Sequence, residues 1–398
     1  MRYILLIAFY CCSHLPSLQA QESVFFTKKI LVDSTNTSLG IEVRNLNSIK
    51  NKEYFNYIAD GETILGTQLQ TSLYYKASKE ITLYAGVFLY KNFGEDRLDT
   101  AIPVFTAQYI KNSHHFTIGN LDARDNHGLI EPLMSNEKVL NERVLETGFS
   151  YTYRAEKTHL ETWIDWENFI EPLDKEREIF TLGLNFKHLF VSTPKSKLST
   201  SLQHIYYHKG GQINQKNRFS DDDASLKVNL NSTALGVAYA YHLNQKNVLF
   251  GSMYGLYSAS NESNDTYSFM SGNAIYGFVG YQYDDWKFFT GYYKANGFTS
   301  AKSNTILNTY STKTDNNSFN GIPDERYASH TEKYRELAFA RFQYKKELAP
   351  EIFLGIQAAI YYQMNDALLE NYEFLGNEKG QLDYNYGIFL TFSNIFGF

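Results

Sequence analysis

Residues 65–76 alternate without a break. Leu65, Thr67, Leu69, Thr71, Leu73 and Tyr75 take one side, and Gly66, Gln68, Gln70, Ser72, Tyr74 and Lys76 take the other. A two-residue period sends successive side chains to opposite faces of a pleated strand, so this stretch has one greasy and one wet face. The pattern recurs near residues 37–44, 81–91, 101–112, 114–121, 146–156, 158–170, 178–190, 197–209, 231–243, 247–258, 271–284, 286–296, 334–346, 351–364 and 381–398, about sixteen strands in all. The connections alternate strictly in length. Short turns fall near 77–79, 112–113, 157, 191–196, 244–246, 284–285 and 347–350; long polar loops fall near 46–61, 92–100, 122–145, 171–177, 210–230, 259–270, 297–333 and 365–380. Short turns on one side and long loops on the other, with both termini on the short-turn side, describe an even-stranded membrane barrel. The fold class that follows is all-β, a transmembrane antiparallel β-barrel with short periplasmic turns and long extracellular loops.

A soluble chain of 398 residues would form two or three domains, yet the composition favours one barrel. Tyr (32) and Phe (29) dominate the aromatic content, there are only seven prolines, and mean hydropathy is -0.38. That balance is what strands with one lipid face and one wet face require. Residues 1–20 carry Arg2, an apolar run over 3–12 and Ala20 before Gln21, and read as a secretory signal peptide. The run is shorter than the roughly twenty residues a spanning helix needs. Residues 21–36 are expected to be a short periplasmic lead and 37–398 the barrel. Cys11 and Cys12 are the only cysteines, so cleavage after Ala20 would leave no thiol for a disulfide, a metal or catalysis. A net charge of -6 gives no support to nucleic-acid binding.

The last stretch places Leu382, Tyr384, Tyr386, Ile388, Leu390, Phe392, Phe396 and Phe398 on alternate positions, with Phe389 and Ile395 interrupting the wetter side. A carboxy-terminal strand that alternates in this way and ends on Phe resembles the closing strand of Gram-negative outer-membrane β-barrels. The resemblance implies a bacterial outer-membrane location, contact with outer-membrane lipids, and recognition of Phe396 and Phe398 by the barrel-assembly machinery. Aromatic pairs near strand ends fit two interfacial belts: Tyr74 and Tyr75, Tyr151 and Tyr153, Tyr281 and Tyr283 on the short-turn side, and Tyr206 and Tyr207, Tyr292 and Tyr293, Tyr361 and Tyr362 on the loop side.

Function is read from the inward parity and the loops. In residues 158–168 the outward set is Leu160, Thr162, Ile164 and Trp166, which leaves His159, Glu161, Trp163, Asp165 and Glu167 inward. An Arg or Lys on the lipid face near the midplane costs roughly 2–4 kcal/mol, so Arg154, Lys187, Arg335, Arg341 and Lys345 should also point inward. The third long loop mixes Asp122, Arg124, Asp125, His127 and Glu131 with Leu129, Ile130, Pro132, Leu133 and Met134. An exposed loop has no reason to be so apolar, so it should pack against something. In sixteen-stranded porins, which this architecture resembles, the third outer loop folds inward and narrows the barrel. Likeness to porins also implies homo-oligomers.

The expectation is a porin-like channel for passive diffusion of small hydrophilic solutes, with a plugging network of salt bridges as the competing state of the lumen. A surface-binding barrel working through residues 297–333, rich in Ser, Thr and Asn, is an alternative, and an outer-membrane lipid hydrolase a further one. No enzyme is expected, because no His-x-Ser pair sits on an outward parity, and no cofactor or metal is expected either. Asp221, Asp222 and Asp223 read as a solvated acidic turn ahead of a calcium site. A TonB-dependent transporter is excluded by family resemblance, which requires a plug of over a hundred residues where 21–36 stand. Deleting Phe398 should lower the fraction of chains that insert and fold, measured as the heat-modifiable band, more than it alters the inserted molecules. Normal insertion of the truncated chain would refute the signal reading.

Overall fold

The computed structural model describes residues 38–140, 145–171, 177–210, 228–260, 269–311, 332–365 and 379–398. The expected signal peptide, the lead over 21–36 and Asp221 to Asp223 lie outside these residues. In chain order the strands are β1 (Leu39–Glu53), β2 (Glu62–Lys76), β3 (Ile81–Asn92), β4 (Thr100–Lys111), β5 (His114–Asp122), β6 (Leu145–Arg154), β7 (Thr158–Asn168) and β8 (Glu178–Ser192). There follow β9 (Ser196–Gly210), β10 (Val228–His242), β11 (Asn247–Ser260), β12 (Ser271–Tyr283), β13 (Trp286–Asn296), β14 (Tyr334–Ala349), β15 (Ile352–Gln363) and β16 (Leu382–Gly397). Each strand pairs with its sequence neighbours, and β16 returns to β1, closing the sheet. At the seam Ile41 faces Phe396 in antiparallel register, and the Phe398 amide donates to the Leu39 carbonyl at 3.0 Å. Closure removes both sheet edges, which a lipid-immersed sheet cannot leave unpaired.

The alternation decides which face is which. Leu382, Tyr384, Tyr386, Ile388 and Leu390 of β16 are exposed, while Asp383, Asn385, Phe389 and Thr391 between them are buried. The same inversion holds on β10, where Leu235, Val237 and Tyr239 are exposed and Ala234, Ala238 and Ala240 are buried. A closed sheet whose outer surface carries so many large exposed apolar residues needs hydrocarbon as its solvent, which places the chain in the bacterial outer membrane. Among the described residues no helix is long and apolar enough to cross a membrane.

Two expectations change. β1 runs on to Glu53 where a loop was expected from residue 46. Its far half escaped the pattern because its outward positions are Asn45, Asn47 and Asn51 around the exposed Ile49, while Ser48, Lys50 and Lys52 face the lumen. The aromatic belts are thinner than the pairs suggested. Adjacent residues point to opposite faces, so Tyr74, Tyr293 and Tyr361 are buried inside while Tyr75 and Tyr362 stay outside. The pairs spaced by two, Tyr151 with Tyr153 and Tyr281 with Tyr283, keep both rings outward. Replacing Leu235, which is 62% exposed near the middle of β10, by Arg should destabilise the folded barrel by about 2–4 kcal/mol in urea titrations in lipid vesicles. An unchanged midpoint would mean that this wall does not face hydrocarbon.

Candidate functional site

Residues 123–140, between β5 and β6, turn into the barrel. The turn is set by Asn126 and His127, which take left-handed backbone angles of φ 55° and 50°. The Asp125 carboxylate accepts from the His127 amide at 3.1 Å, and the Asn126 side chain donates to the Met134 carbonyl at 2.6 Å, folding the loop on itself. Asn and His carry the left-handed conformation at lower cost than branched residues do. This bend aims the His127 ring at the wall.

There its two ring nitrogens meet Glu146 of β6 and Glu161 of β7, each at 2.8 Å. The ring lies flat on Trp163, with centroids 3.7 Å apart and planes 10° from parallel. Trp163 has room because Gly183 stands opposite it on β8, where a Cβ would come within 2.1 Å of the indole. From the next two strands, Asn185 donates to the His127 carbonyl at 2.6 Å, and Gln203 accepts from the Ile130 amide at 2.9 Å while donating to the Gly128 carbonyl at 3.1 Å. Leu129, Ile130, Leu133 and Met134 are buried with Tyr276, Phe339 and Tyr361 of the far wall. Glu131 there forms a two-pronged ion pair with Arg341, which also donates to the Tyr361 hydroxyl at 2.8 Å. Further along, Glu137 takes Lys50 and Lys52, and at the loop's root Asp122 takes Arg44 and Arg124.

A second segment joins the first. Residues 297–311, expected in an outer loop, bury Phe298, Ile306 and Leu307 inside the barrel. Met134 and Lys302 form a β-bridge, the Ser135 amide donates to the Lys302 carbonyl at 2.6 Å, the Asn304 amide to the Glu131 carbonyl at 3.0 Å, and the Ser300 hydroxyl to the Leu133 carbonyl at 2.7 Å. Lys302 reaches Glu167 of β7 at 2.5 Å. Arg335 pairs with Glu332 at 2.7 Å and donates to the Ile306 carbonyl at 2.9 Å. The two segments pack against each other inside the loop-side half of the lumen.

Of the residues singled out by sequence, Asp122, Arg124, His127, Glu131, Glu161, Glu167, Arg335 and Arg341 meet in this plug or its sockets. Asp165 caps the Thr147 amide at 2.9 Å, and His159 stands 3.4 Å from Glu161. Asp125 is exposed on the plug's inner side, Arg154 is exposed at the short-turn end of β6, and Lys187 sits on β8 toward the same end. The sequence reading missed Glu42, Arg44, Lys50, Lys52, Glu137 and Glu146. For Lys50 and Lys52 the available signal was their shared parity, two residues apart; for residues 297–311 it was Phe298, Ile306 and Leu307 standing in a polar run. The loop-side lumen is lined with paired ions and packed rings, so the ladder of free charges expected of a hydrated passage is absent among the described residues of that half.

The loop's charges respond to this enclosure. Burial disfavours the His127 imidazolium, but Glu146 and Glu161 outweigh it and push its pKa up to about 10. Burial likewise works against the Glu137 carboxylate, yet Lys50 and Lys52 hold it down to about 2. At neutral pH His127 is therefore a fixed cation and not a proton acceptor.

A model of the family described as Lipid A 3'-O-deacylase-type matches residues 31–398, and the chain belongs to that family. This corrects the expectation that the protein is no enzyme, since the family is one of deacylases; the lack of an outward His-x-Ser pair excludes one arrangement of a hydrolase, not the class. Among curated proteins none matches. The fold is similar to OmpTdeltaL8, a loop deletion mutant of an outer membrane protein of Vibrio cholerae, with a TM-score of 0.50 and 11% identity over 89% of this chain and 99% of that one. It is equally similar to OpdL of Pseudomonas aeruginosa, at 0.50 and 11% identity over 90% of this chain and 99% of that one.

The His127 shift makes docking of the plug depend on pH. A raised pKa means that the contribution is complete below the free value of 6.5 and is lost as the pH passes through about 10. Proteolysis of residues 123–140 in the folded protein should accelerate between pH 7 and pH 10.5, roughly, and the change should shrink in His127→Gln. Equal acceleration in both proteins would remove His127 as the latch.

Proposed function

We propose that this member of the Lipid A 3'-O-deacylase-type family is an outer-membrane hydrolase that removes an ester-linked acyl chain from a lipid A-type glycolipid. In that reaction water adds to the ester carbonyl, the bond from the carbonyl carbon to the sugar oxygen breaks, the sugar oxygen leaves and takes up a proton, and the fatty acid is released with the oxygen of water. The observation that carries the reading is the family match over residues 31–398. Among the described residues the loop-side lumen holds paired ions and packed rings, which narrows the way for a dissolved solute, whereas the lipid-facing wall meets a substrate that already lies in the membrane. His127 is fixed as a cation by two carboxylates, so it serves as a latch for the scaffold and not as the general base. On this reading the mature chain begins near Gln21, and Phe396 and Phe398 present the closing strand to the assembly machinery.

One observation favours a second activity in the same molecule, a gated passage for small hydrophilic solutes. Beneath the plug Asp125 and Arg154 are exposed and His159 keeps 29% of its side-chain surface, which describes a hydrated vestibule open toward the short-turn side. Conduction would require the plug to leave its sockets, and homo-oligomers of such a channel would then follow the porin pattern. Purified protein incubated with lipid A in mixed micelles should release one ester-linked fatty acid, read by mass spectrometry, while showing no steady conductance in planar bilayers. Intact lipid A together with steady conductance would overturn the hydrolase reading in favour of the channel.

A further inference from the structure

The chain as a whole is acidic, with a net charge of -6, yet its inner rim on the short-turn side is basic. Strand parity brings Lys76 of β2, Arg154 of β6, Lys187 of β8, Lys197 of β9, Lys287 of β13 and Lys345 of β14 to inward positions within a few residues of the short turns. The carboxylates of that half are already engaged. Glu42 takes Arg44, Glu161 takes His127 and His159, and Glu347 accepts from the Glu351 amide at 3.3 Å inside the β14–β15 turn. Among the described residues Asp125, on the underside of the plug, is the acid left exposed toward this rim.

Three basic groups stand side by side. Arg154 pairs across the sheet with His159, and His159 with Lys187, so a guanidinium, an imidazole and an ammonium share one rung of the inner wall. At ~4.8 Å from strand to strand the rung is roughly 10 Å wide. Like charges placed directly across neighbouring strands are destabilising until a group of opposite sign meets them. Arg154 is exposed and forms no ion pair among the described residues. Elsewhere on the rim the Lys76 ammonium is buried without a hydrogen-bond partner, and Lys197 is buried. The plug lies just above the rung, since His127 meets Glu161 two positions along β7 from His159. All of these side chains point away from the lipid, so membrane headgroups do not reach them.

We propose that this rung binds a small multivalent oxyanion, of the pyrophosphate or tricarboxylate kind, that enters from the periplasmic side beneath the plug. The Arg154 fork meets two oxygens of one acidic group, and the Lys187 ammonium, two strands away, meets a second acidic group as a point charge. A monovalent ion is too small to engage both ends. The excess of one sign around a wall of low dielectric focuses the field inward and raises the local concentration of such an anion, while it repels cations. The site is independent of the acyl hydrolysis proposed above, since it uses neither the lipid-facing wall nor an open passage.

The full-length protein in detergent at low ionic strength would be titrated by calorimetry with sodium pyrophosphate and separately with citrate. At least one should bind, Arg154→Gln and Lys187→Gln should each weaken that binding about tenfold, and Arg154→Lys, which keeps the charge, should lose less. Lys246→Gln removes a cation from the outside of the short-turn edge, where Lys246 pairs with Asp284 at 3.3 Å, and should leave the affinity unchanged. Heat-modifiable migration verifies that each variant is folded. Binding of pyrophosphate alone assigns the pocket to phosphate groups, and binding of citrate alone to carboxylates. No binding of either anion, or a loss in Lys246→Gln equal to that in Arg154→Gln, would overturn the site.

Discussion

Water is absent from the hydrocarbon core, so every peptide N–H and C=O in the spanning strands must find its partner inside the sheet. The pairing of β16 with β1 meets that demand at the one place where sequence neighbours cannot. Closure has a second effect. It divides the side chains into two populations that never meet, one solvated by lipid and one by whatever occupies the lumen. The alternation in each strand is the imprint of that division, and the gathering of most charged groups to the inside is its consequence.

An interior lined with Glu, Lys, Arg and His can be solvated by water or by complementary protein. Here the loop-side half takes the second course. Burying ion pairs is weak as a source of stability, because desolvation offsets the attraction, but breaking one partner away is expensive. The pairs Glu131 with Arg341, Glu137 with Lys50 and Lys52, and His127 with Glu146 and Glu161 therefore act mainly as keys that fix where the loop sits. The apolar residues Leu133, Met134, Phe298 and Ile306 give the same body a dry centre. The result resembles a small globular core built inside a membrane protein.

The strands were legible because one face of each is subject to a constraint that reads locally: outward residues must be apolar or sit at an interface. The inward loop of residues 123–140 was legible for a related reason, since Leu129, Ile130 and Leu133 have no business in water. The pairing partners were not. Lys50 looks like any lysine in a polar stretch until Glu137, 87 positions away, arrives beside it, and Arg341 finds Glu131 across 210 positions. Parity gave the direction in which these side chains point and could say nothing of what they meet. The family went unread for another reason: its match extends over residues 31–398 as a whole, whereas the sequence reading looked for a short His-x-Ser motif.

The bridge between Met134 and Lys302 ties together segments separated by half of the barrel wall, and the socket for Glu131 lies on β14. During synthesis and insertion the first segment exists long before either partner does. It must therefore wait, unhoused, while nine further strands are laid down after it, and its apolar group needs temporary shelter for all that time. The interior of this protein is thus the last part to mature, and its completion reports that the carboxy-terminal third has arrived and found its place.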